Sequence, residues 1–260
     1  MATLMPGTRD TVRDLILVLA DTKRLLGTRY AGWMLGAPEL EGGIALASMA
    51  QDEWGHGRLL YAMLKDFSDD VDRLEHGREP EEYCNIEILD HAPADWAGLV
   101  SLNALVDTAL TVQFEAMRAS TWPPFRQRVE KMLDEEQFHT AHGAAWVHWF
   151  ARSGDAGRGL LRQALQERLP FVLRWFGPDS DRARALVAEG VVDAAGSALR
   201  TRFLTRLTPL LTLVGSESAG GEEPDFTNFD EARRRMPGTA PDAETIRRVR
   251  GDRNRAFLMD

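Results

Sequence analysis

Two Glu-x-x-His pairs constrain the fold of this chain more than any other feature of its sequence. Glu53 and His56 stand in "QDEWGHGRLL", and Glu136 and His139 stand in "EEQFHTAH". Both segments carry apolar residues at intervals of three and four, which is typical of amphipathic helices. Because residues three apart lie on one face of a helix, each pair is predicted to point a carboxylate and an imidazole at one spot.

The rest of the chain also shows helical periodicity and no convincing strand alternation. We therefore predict an all-α fold, in which "WPP" at 122–124 ends one helix and the charged segment 68–93 forms an irregular surface connection. The predicted helices cover about residues 8–34, 41–67, 94–120, 125–153, 156–176 and 180–214.

Charge and cysteine content exclude several classes of protein. The chain has 260 residues and a formal net charge of −9, which argues against a general binder of nucleic acid or of anionic membranes. Its single cysteine, Cys84, excludes an internal disulfide framework and is expected to be a buried free thiol. No signal pattern is found, and charged residues interrupt the apolar stretches before they reach about 20 residues, the length that spans a bilayer. We predict a soluble, cytoplasmic protein.

The duplicated pair predicts a metal site. Two Glu-x-x-His helices, with one acidic residue from each of two other helices, form the ligand set of ferritin-like dimetal carboxylate bundles. Carboxylates and imidazoles suit iron or manganese. The alternative is that the glutamates are solvated and the histidines satisfy buried hydrogen bonds. We favour the metal site because buried ionised side chains are rare without partners.

The third predicted helix offers two acidic residues as a further ligand. Asp107 lies among apolar residues in "LVDTAL", where a solvated acid would be out of place. Glu115 follows eight residues later, about 80° from that face at 100° per residue. Asp107 is therefore the preferred ligand, and Glu115 is interpreted as a surface acid.

At these residues the sequence resembles the phenylacetic acid catabolic protein family, which includes a catalytic and a structural type of subunit. The resemblance covers roughly residues 10–215. It implies a ferritin-like four-helix bundle with additional C-terminal helices. The resembling segments are "AQDEWGHG" (50–57), "LVD" (105–107), "DEEQFHTAHG" (134–143) and "RWFGPDSD" (174–181).

The resemblance also implies a ligand set. In the family, an aspartate of the third helix precedes the second Glu-x-x-His by 29 residues, and here 136 − 107 = 29. It implies two iron ions, or iron and manganese, or a single metal where the set is incomplete. The metal ligands implied for this chain are Glu53, His56, Asp107, Glu136 and His139.

One position departs from the family pattern. The family's first-helix glutamate precedes the first pair by 30 residues, and here 53 − 30 = 23, which is Lys23. Three interpretations are open. Lys23 replaces a metal as the counter-charge of the acids; the site keeps one metal, or binds two more weakly, and Lys23 is a catalytic proton donor or neutral ligand; or the register is slipped and Asp21 is the ligand.

Two functional hypotheses follow. In the first, the chain is an O₂-dependent dimetal oxygenase subunit that acts on an aromatic or related acyl-CoA thioester. In the second, it is a non-catalytic structural or assembly subunit in which Lys23 replaces the metal. Both Glu-x-x-His pairs are intact, which favours the first. The resemblance implies a homo- or hetero-oligomer with a homologous bundle subunit and a separate reductase. The net charge, as above, predicts neither nucleic acid nor membrane as a partner.

We predict a boundary within the chain. Residues 1–216 are expected to form the helical bundle, and the polar, Gly- and Pro-rich segment 217–260 is expected to be an extended or partly ordered tail. The basic runs 233–235 and 247–250 are interpreted as solvated. The alternative is that they contact CoA phosphates or an acidic partner.

Overall fold

The computed structural model of the chain describes residues 4–252 and 257. Within them the regular elements are helical, apart from one isolated antiparallel bridge between Asp230 and Arg235. The α-helices are α1 (Pro6–Trp33), α2 (Leu40–Met63), α3 (Val71–His76), α4 (Trp96–Leu102), α5 (Thr108–Met117), α6 (Pro123–Arg152), α7 (Gly154–Trp175), α8 (Asp181–Ala188), α9 (Gly196–Val214) and α10 (Ala243–Arg250). A π-helical turn, Asn103–Asp107, joins α4 to α5.

The predicted fold class is confirmed: the chain is all-α, and the helices expected of a ferritin-like bundle with additional C-terminal helices are present. The chain divides into two compact units. Unit 1 comprises residues 1–12 and 94–227, and unit 2 comprises residues 13–93 and 228–260. The boundary between a bundle over 1–216 and a tail over 217–260 stays a prediction.

In unit 1, α4, the π turn and α5 form one continuous apolar segment. Asp95 caps its start by accepting a hydrogen bond from the backbone N–H of Gly98 at 2.7 Å, which satisfies one of the unpaired donors of the first turn. The segment packs against α6, α7 and α9. Burial of its leucine and valine side chains stabilises the helix more than local propensity does.

Asp107 and Glu115 interrupt the apolar run of this segment, as the sequence predicts. Trp96–Met117 is long and apolar enough to cross a membrane. However, 94% of its most apolar window is buried inside the protein, and the core helix of a soluble protein passes the same test.

The predicted single helix over 180–214 is wrong, because α8 ends at Ala188 and α9 begins at Gly196. Gly190 adopts φ +68°, a left-handed conformation that glycine tolerates without a steric penalty. The backbone N–H of Val191 then returns to the carbonyl of Leu186 at 2.9 Å and closes the helix end.

In unit 2, the connection after α2 is more ordered and more buried than predicted. It contains α3 and two short 3₁₀ turns, and Tyr83, Cys84, Asn85 and Ile86 are buried. Side chains of α1 satisfy the buried backbone here: Asp21 accepts from the N–H of Cys84 at 2.7 Å. Such partners offset the cost of burying main-chain donors, so the expectation of a surface connection is wrong over these four residues.

The C-terminal segment of unit 2 is also packed at points where solvation was expected. Arg235 is buried and donates to Asp90, with 2.5 Å between Nη2 and Oδ2. Arg29 of α1 donates to Thr245 Oγ1 of α10 at 2.8 Å. A buried guanidinium requires an acidic partner, and Asp90 provides it. The interpretation of 233–235 as wholly solvated is therefore wrong for Arg235, whereas Arg247 and Arg248 of α10 are exposed.

Candidate metal centre

Three of the predicted ligands lie together in unit 1. Asp107 is the last residue of the π turn, and Glu136 and His139 lie one helical turn apart on α6. One donor atom from each lies within 4.8 Å of the others, and all three side chains are buried. His139 Nδ1 is 3.2 Å from Asp107 Oδ1 and 3.8 Å from Glu136 Oε1. We call Asp107, Glu136 and His139 the unit 1 cluster.

A fourth side chain, which the sequence analysis missed, contacts the unit 1 cluster. Asn103 is the first residue of the π turn and is 3% exposed. Its side-chain nitrogen donates to Asp107 Oδ2 at 2.7 Å and to the backbone carbonyl of His139 at 3.1 Å. The signal in the sequence was a lone amide four residues before Asp107, in the otherwise apolar run "LNALVD".

His142 lies one turn beyond His139 on α6. Burial lowers the pKa of His142, although the negative charge of Asp107 acts in the opposite direction. The imidazole of His142 is therefore neutral at neutral pH, and it adds no positive charge near the unit 1 cluster.

In unit 2, the first Glu-x-x-His lies on α2 beside a lysine of α1. Lys23 Nζ donates to Glu53 Oε1 at 2.8 Å, and both side chains are 0% exposed. His56 lies one turn along α2 and is buried. The family pattern has an acidic ligand at this position. Here the position is occupied by Lys23, whose amino group contacts Glu53 directly.

The alternative ligand Asp21 has other partners in unit 2. Its carboxylate is paired with Arg78, with 2.8 Å between Nη1 and Oδ2, and it accepts a hydrogen bond from the hydroxyl of Tyr61. Burial and the charge of Asp21 raise the pKa of Tyr61 well above its usual range, so Tyr61 remains a neutral donor. Because Asp21 is held by Arg78, Tyr61 and the backbone of Cys84, the slipped-register interpretation is not supported.

The second acidic residue of the third predicted helix, Glu115, lies at the surface of unit 1. Glu115 is about one-third exposed and pairs with Arg206 of α9 at 2.9 Å. It was interpreted as a surface acid, and its position and partner agree with that.

The unit 1 cluster fits a divalent metal ion chemically. Two buried carboxyl groups and one buried imidazole offer oxygen and nitrogen donors, and the two carboxyl groups would bind a metal as carboxylates. One divalent cation would neutralise them. In unit 2, by contrast, Glu53 and Lys23 already neutralise each other.

Comparison with known proteins identifies the family. Residues 2–234 match the family model described as phenylacetic acid catabolic protein. This chain belongs to that family. The chain is 27% identical over 191 residues to the A subunit of 1,2-phenylacetyl-CoA epoxidase of Escherichia coli K12, and the match covers 70% of this chain and 60% of the relative. It is 25% identical over 177 residues to the C subunit of the same enzyme, and that match covers 67% of this chain and 71% of the relative.

The chain therefore spans about three-fifths of the length of the first relative. Its membership of the phenylacetic acid catabolic protein family is consistent with the resemblance found in the motifs. Both relatives are named as subunits of one enzyme. Similarity to the two of them is nearly equal, so identity alone does not assign this family member to either subunit type.

Proposed function

We propose that this chain is a metal-dependent oxygenase subunit of the phenylacetyl-CoA epoxidase type, acting on an aromatic or related acyl-CoA thioester. The observation that carries the proposal is the unit 1 cluster, in which two carboxylates and an imidazole are buried within 4.8 Å of one another. Buried acidic groups are costly unless a cation accompanies them. The named activity of the relatives supports the substrate class.

We propose that the resident metal is one iron or manganese ion per chain, held by Asp107, Glu136 and His139. When bound, such an ion would supply the O₂ chemistry that ring epoxidation requires. The pairing of Glu53 with Lys23 supports one ion rather than two, because Glu53 already has a cationic partner. The full ligand set with Glu53 and His56 stays a prediction.

In this proposal, Lys23 holds a proton at Nζ and donates a hydrogen bond to Glu53 Oε1. The ammonium keeps Glu53 ionised and fixed in the absence of solvent. A catalytic role for Lys23 as a proton donor rests on this contact. The homologous bundle partner, the separate reductase and a cytoplasmic location remain predictions from the family resemblance.

The second candidate function is a structural or assembly subunit without a metal. The buried Lys23–Glu53 pair favours it specifically, since the pair satisfies Glu53 without any ion. The two candidates differ in what they expect of the unit 1 cluster. The oxygenase requires a metal there, whereas the structural subunit requires only hydrogen bonds among its side chains.

Metal content decides between the candidates. The chain would be expressed with iron and manganese, purified without chelator and analysed by inductively coupled plasma mass spectrometry. We expect one transition-metal ion per chain, and oxygenated product from phenylacetyl-CoA, O₂ and a chemical reductant. No metal at any supplied concentration would refute the oxygenase and leave the structural subunit. Two ions per chain would refute the single-metal assignment but retain the oxygenase.

A further inference from the structure

We propose that Asn103 is a positioning residue that orients Asp107 and ties it to α6, so that Asp107 and His139 are presented together to a metal ion. The inference rests on the proposed function for its ligand. It concerns a residue outside the predicted ligand set. Asn103 would not touch the metal; it would act through the carboxylate of Asp107 and the backbone of His139.

The hydrogen bonds of one amide group carry the proposal. An asparagine nitrogen has two N–H donors. Asn103 directs one to Asp107 Oδ2 at 2.7 Å and the other to the carbonyl of His139 at 3.1 Å. With Oδ2 held by the amide, Oδ1 of Asp107 faces His139 Nδ1 at 3.2 Å. The amide therefore sets the rotation of the carboxylate and joins the π turn to α6.

The amide of Asn103 lies in the π turn, four residues before Asp107. Asn103 and Asp107 are the first and last residues of the turn, and both are buried. Single π turns within α-helices are frequent at functional sites, and residues four apart lie on one face of such a segment. Here the two polar side chains at its ends meet in an apolar segment, away from water that would compete for their hydrogen bond.

Gly143 of α6 provides the space that Asn103 occupies. A Cβ atom at position 143 would lie 2.7 Å from Asn103 Oδ1 and 3.0 Å from Asn103 Cγ. Both distances are shorter than an ordinary van der Waals contact. Any larger residue at position 143 would therefore push the amide of Asn103 away from its two acceptors.

Two substitutions remove the amide contact in different ways. Asn103→Leu keeps the branching of the side chain at Cγ, with two methyl groups in place of the amide oxygen and nitrogen, and removes the donor. Gly143→Ala keeps the donor but displaces it. Ser101→Ala is the matched control, because Ser101 is buried two residues earlier and donates only locally, to the carbonyl of Gly98 at 2.7 Å. Each full-length variant would be titrated with Mn²⁺ by anaerobic calorimetry, and its Tm would be measured without metal.

We expect Asn103→Leu and Gly143→Ala each to weaken Mn²⁺ binding by about 10- to 100-fold, the usual effect of removing a partner that orients a ligand. Ser101→Ala is expected to bind Mn²⁺ like the wild type. A loss of Tm that is equal in Ser101→Ala and Asn103→Leu, combined with unchanged Mn²⁺ affinity in both site variants, would overturn the proposal.

A metal-free measurement separates this inference from the proposed function. Crystal structures of the metal-free wild type and Asn103→Leu would show whether the Asp107 carboxylate rotates away from His139 Nδ1. If the wild type binds no Mn²⁺ but the carboxylate rotates in the variant, the proposed function fails and the positioning role of Asn103 stands. If the carboxylate keeps its contact with His139 in the variant, the positioning role fails whatever the metal affinity.

Discussion

Lys23 Nζ and Glu53 Oε1 lie 2.8 Å apart, and neither side chain has any exposed surface. A lysine and a glutamate that are both fully buried hold each other in the ionised state, because each is the counter-charge of the other. This pair occupies the place where the resemblance implies an acidic metal ligand. It is the feature in which this chain departs most from a two-metal site.

The first prediction concerns the stability of this ion pair. Lys23→Met leaves Glu53 buried without its cation, so we expect the free energy of unfolding to fall by about 3–5 kcal/mol. The measurement is urea denaturation of metal-free protein. The double variant Lys23→Met/Glu53→Gln removes both charges and is expected to recover most of the loss. Equal destabilisation in the single and double variants would show that the pair contributes no coupling.

The second prediction concerns metal stoichiometry. Lys23→Glu supplies the acid that the family pattern has at this position and removes the ammonium. We expect this variant to bind two ions per chain where the wild type binds one, with Fe²⁺ or Mn²⁺ measured by mass spectrometry after gel filtration. Lys23→Gln is the control, since it removes the ammonium without adding a carboxylate. A wild type and a Lys23→Glu variant with the same metal content would contradict the role given to Lys23.

The third prediction compares Asp107 of the unit 1 cluster with Glu115, the other acidic residue of the third predicted helix. Asp107→Asn removes a buried carboxylate charge, and Glu115→Gln removes a partly exposed one that pairs with Arg206. We expect Asp107→Asn to lower Mn²⁺ affinity by at least about 100-fold, because a carboxylate ligand is lost. Glu115→Gln is expected to leave the affinity unchanged. The reverse result would assign the third-helix ligand to Glu115.

The fourth prediction concerns the C-terminal segment of unit 2. Arg235 is buried and paired with Asp90, whereas Arg247 is mostly exposed and paired with Glu244. Arg235→Met is expected to cost about 3–5 kcal/mol of unfolding free energy, because Asp90 would lose its buried partner. Arg247→Met is expected to cost at most about 1 kcal/mol, as for other exposed pairs. Thermal and urea unfolding measure both, and equal costs would mean that Arg235 is solvated.

The fifth prediction concerns the pH dependence of Cys84. Burial, with a further contribution from the charge of Asp21, raises the pKa of the Cys84 thiol from 9.0 to about 12. The native thiol should therefore react with iodoacetamide far more slowly at pH 8 than the thiol of the urea-unfolded chain, because the thiolate is the nucleophile.

The same shift has a consequence for stability. The unfolded thiol loses its proton near pH 9 and the folded thiol only near pH 12, so the contribution of Cys84 to folding is full below pH 9 and declines as the pH rises from 9 to 12. Cys84→Ala is the control, and it should show a smaller loss of stability across this range. Identical pH profiles for the two proteins would contradict the shift.

The sequence by itself determined the helical class and the identity of the candidate ligands. Apolar residues at intervals of three and four are a local property, so α1, α2, α6 and α7 could be predicted to within a few residues. The Glu-x-x-His spacing is also local. It places Glu136 and His139 on one face of α6, whatever packs against that helix.

Only the tertiary structure decided which polar residues serve a site and which serve the core. Asp21 and Lys23 are two residues apart in one helix, yet Asp21 pairs with Arg78 and Lys23 pairs with Glu53. The sequence gives no sign that the amide of Asn103 also donates to the backbone carbonyl of His139, 36 residues away on α6. Partners that are far apart in the chain are selected by packing, and a buried charge or amide is stable only where packing supplies its partner.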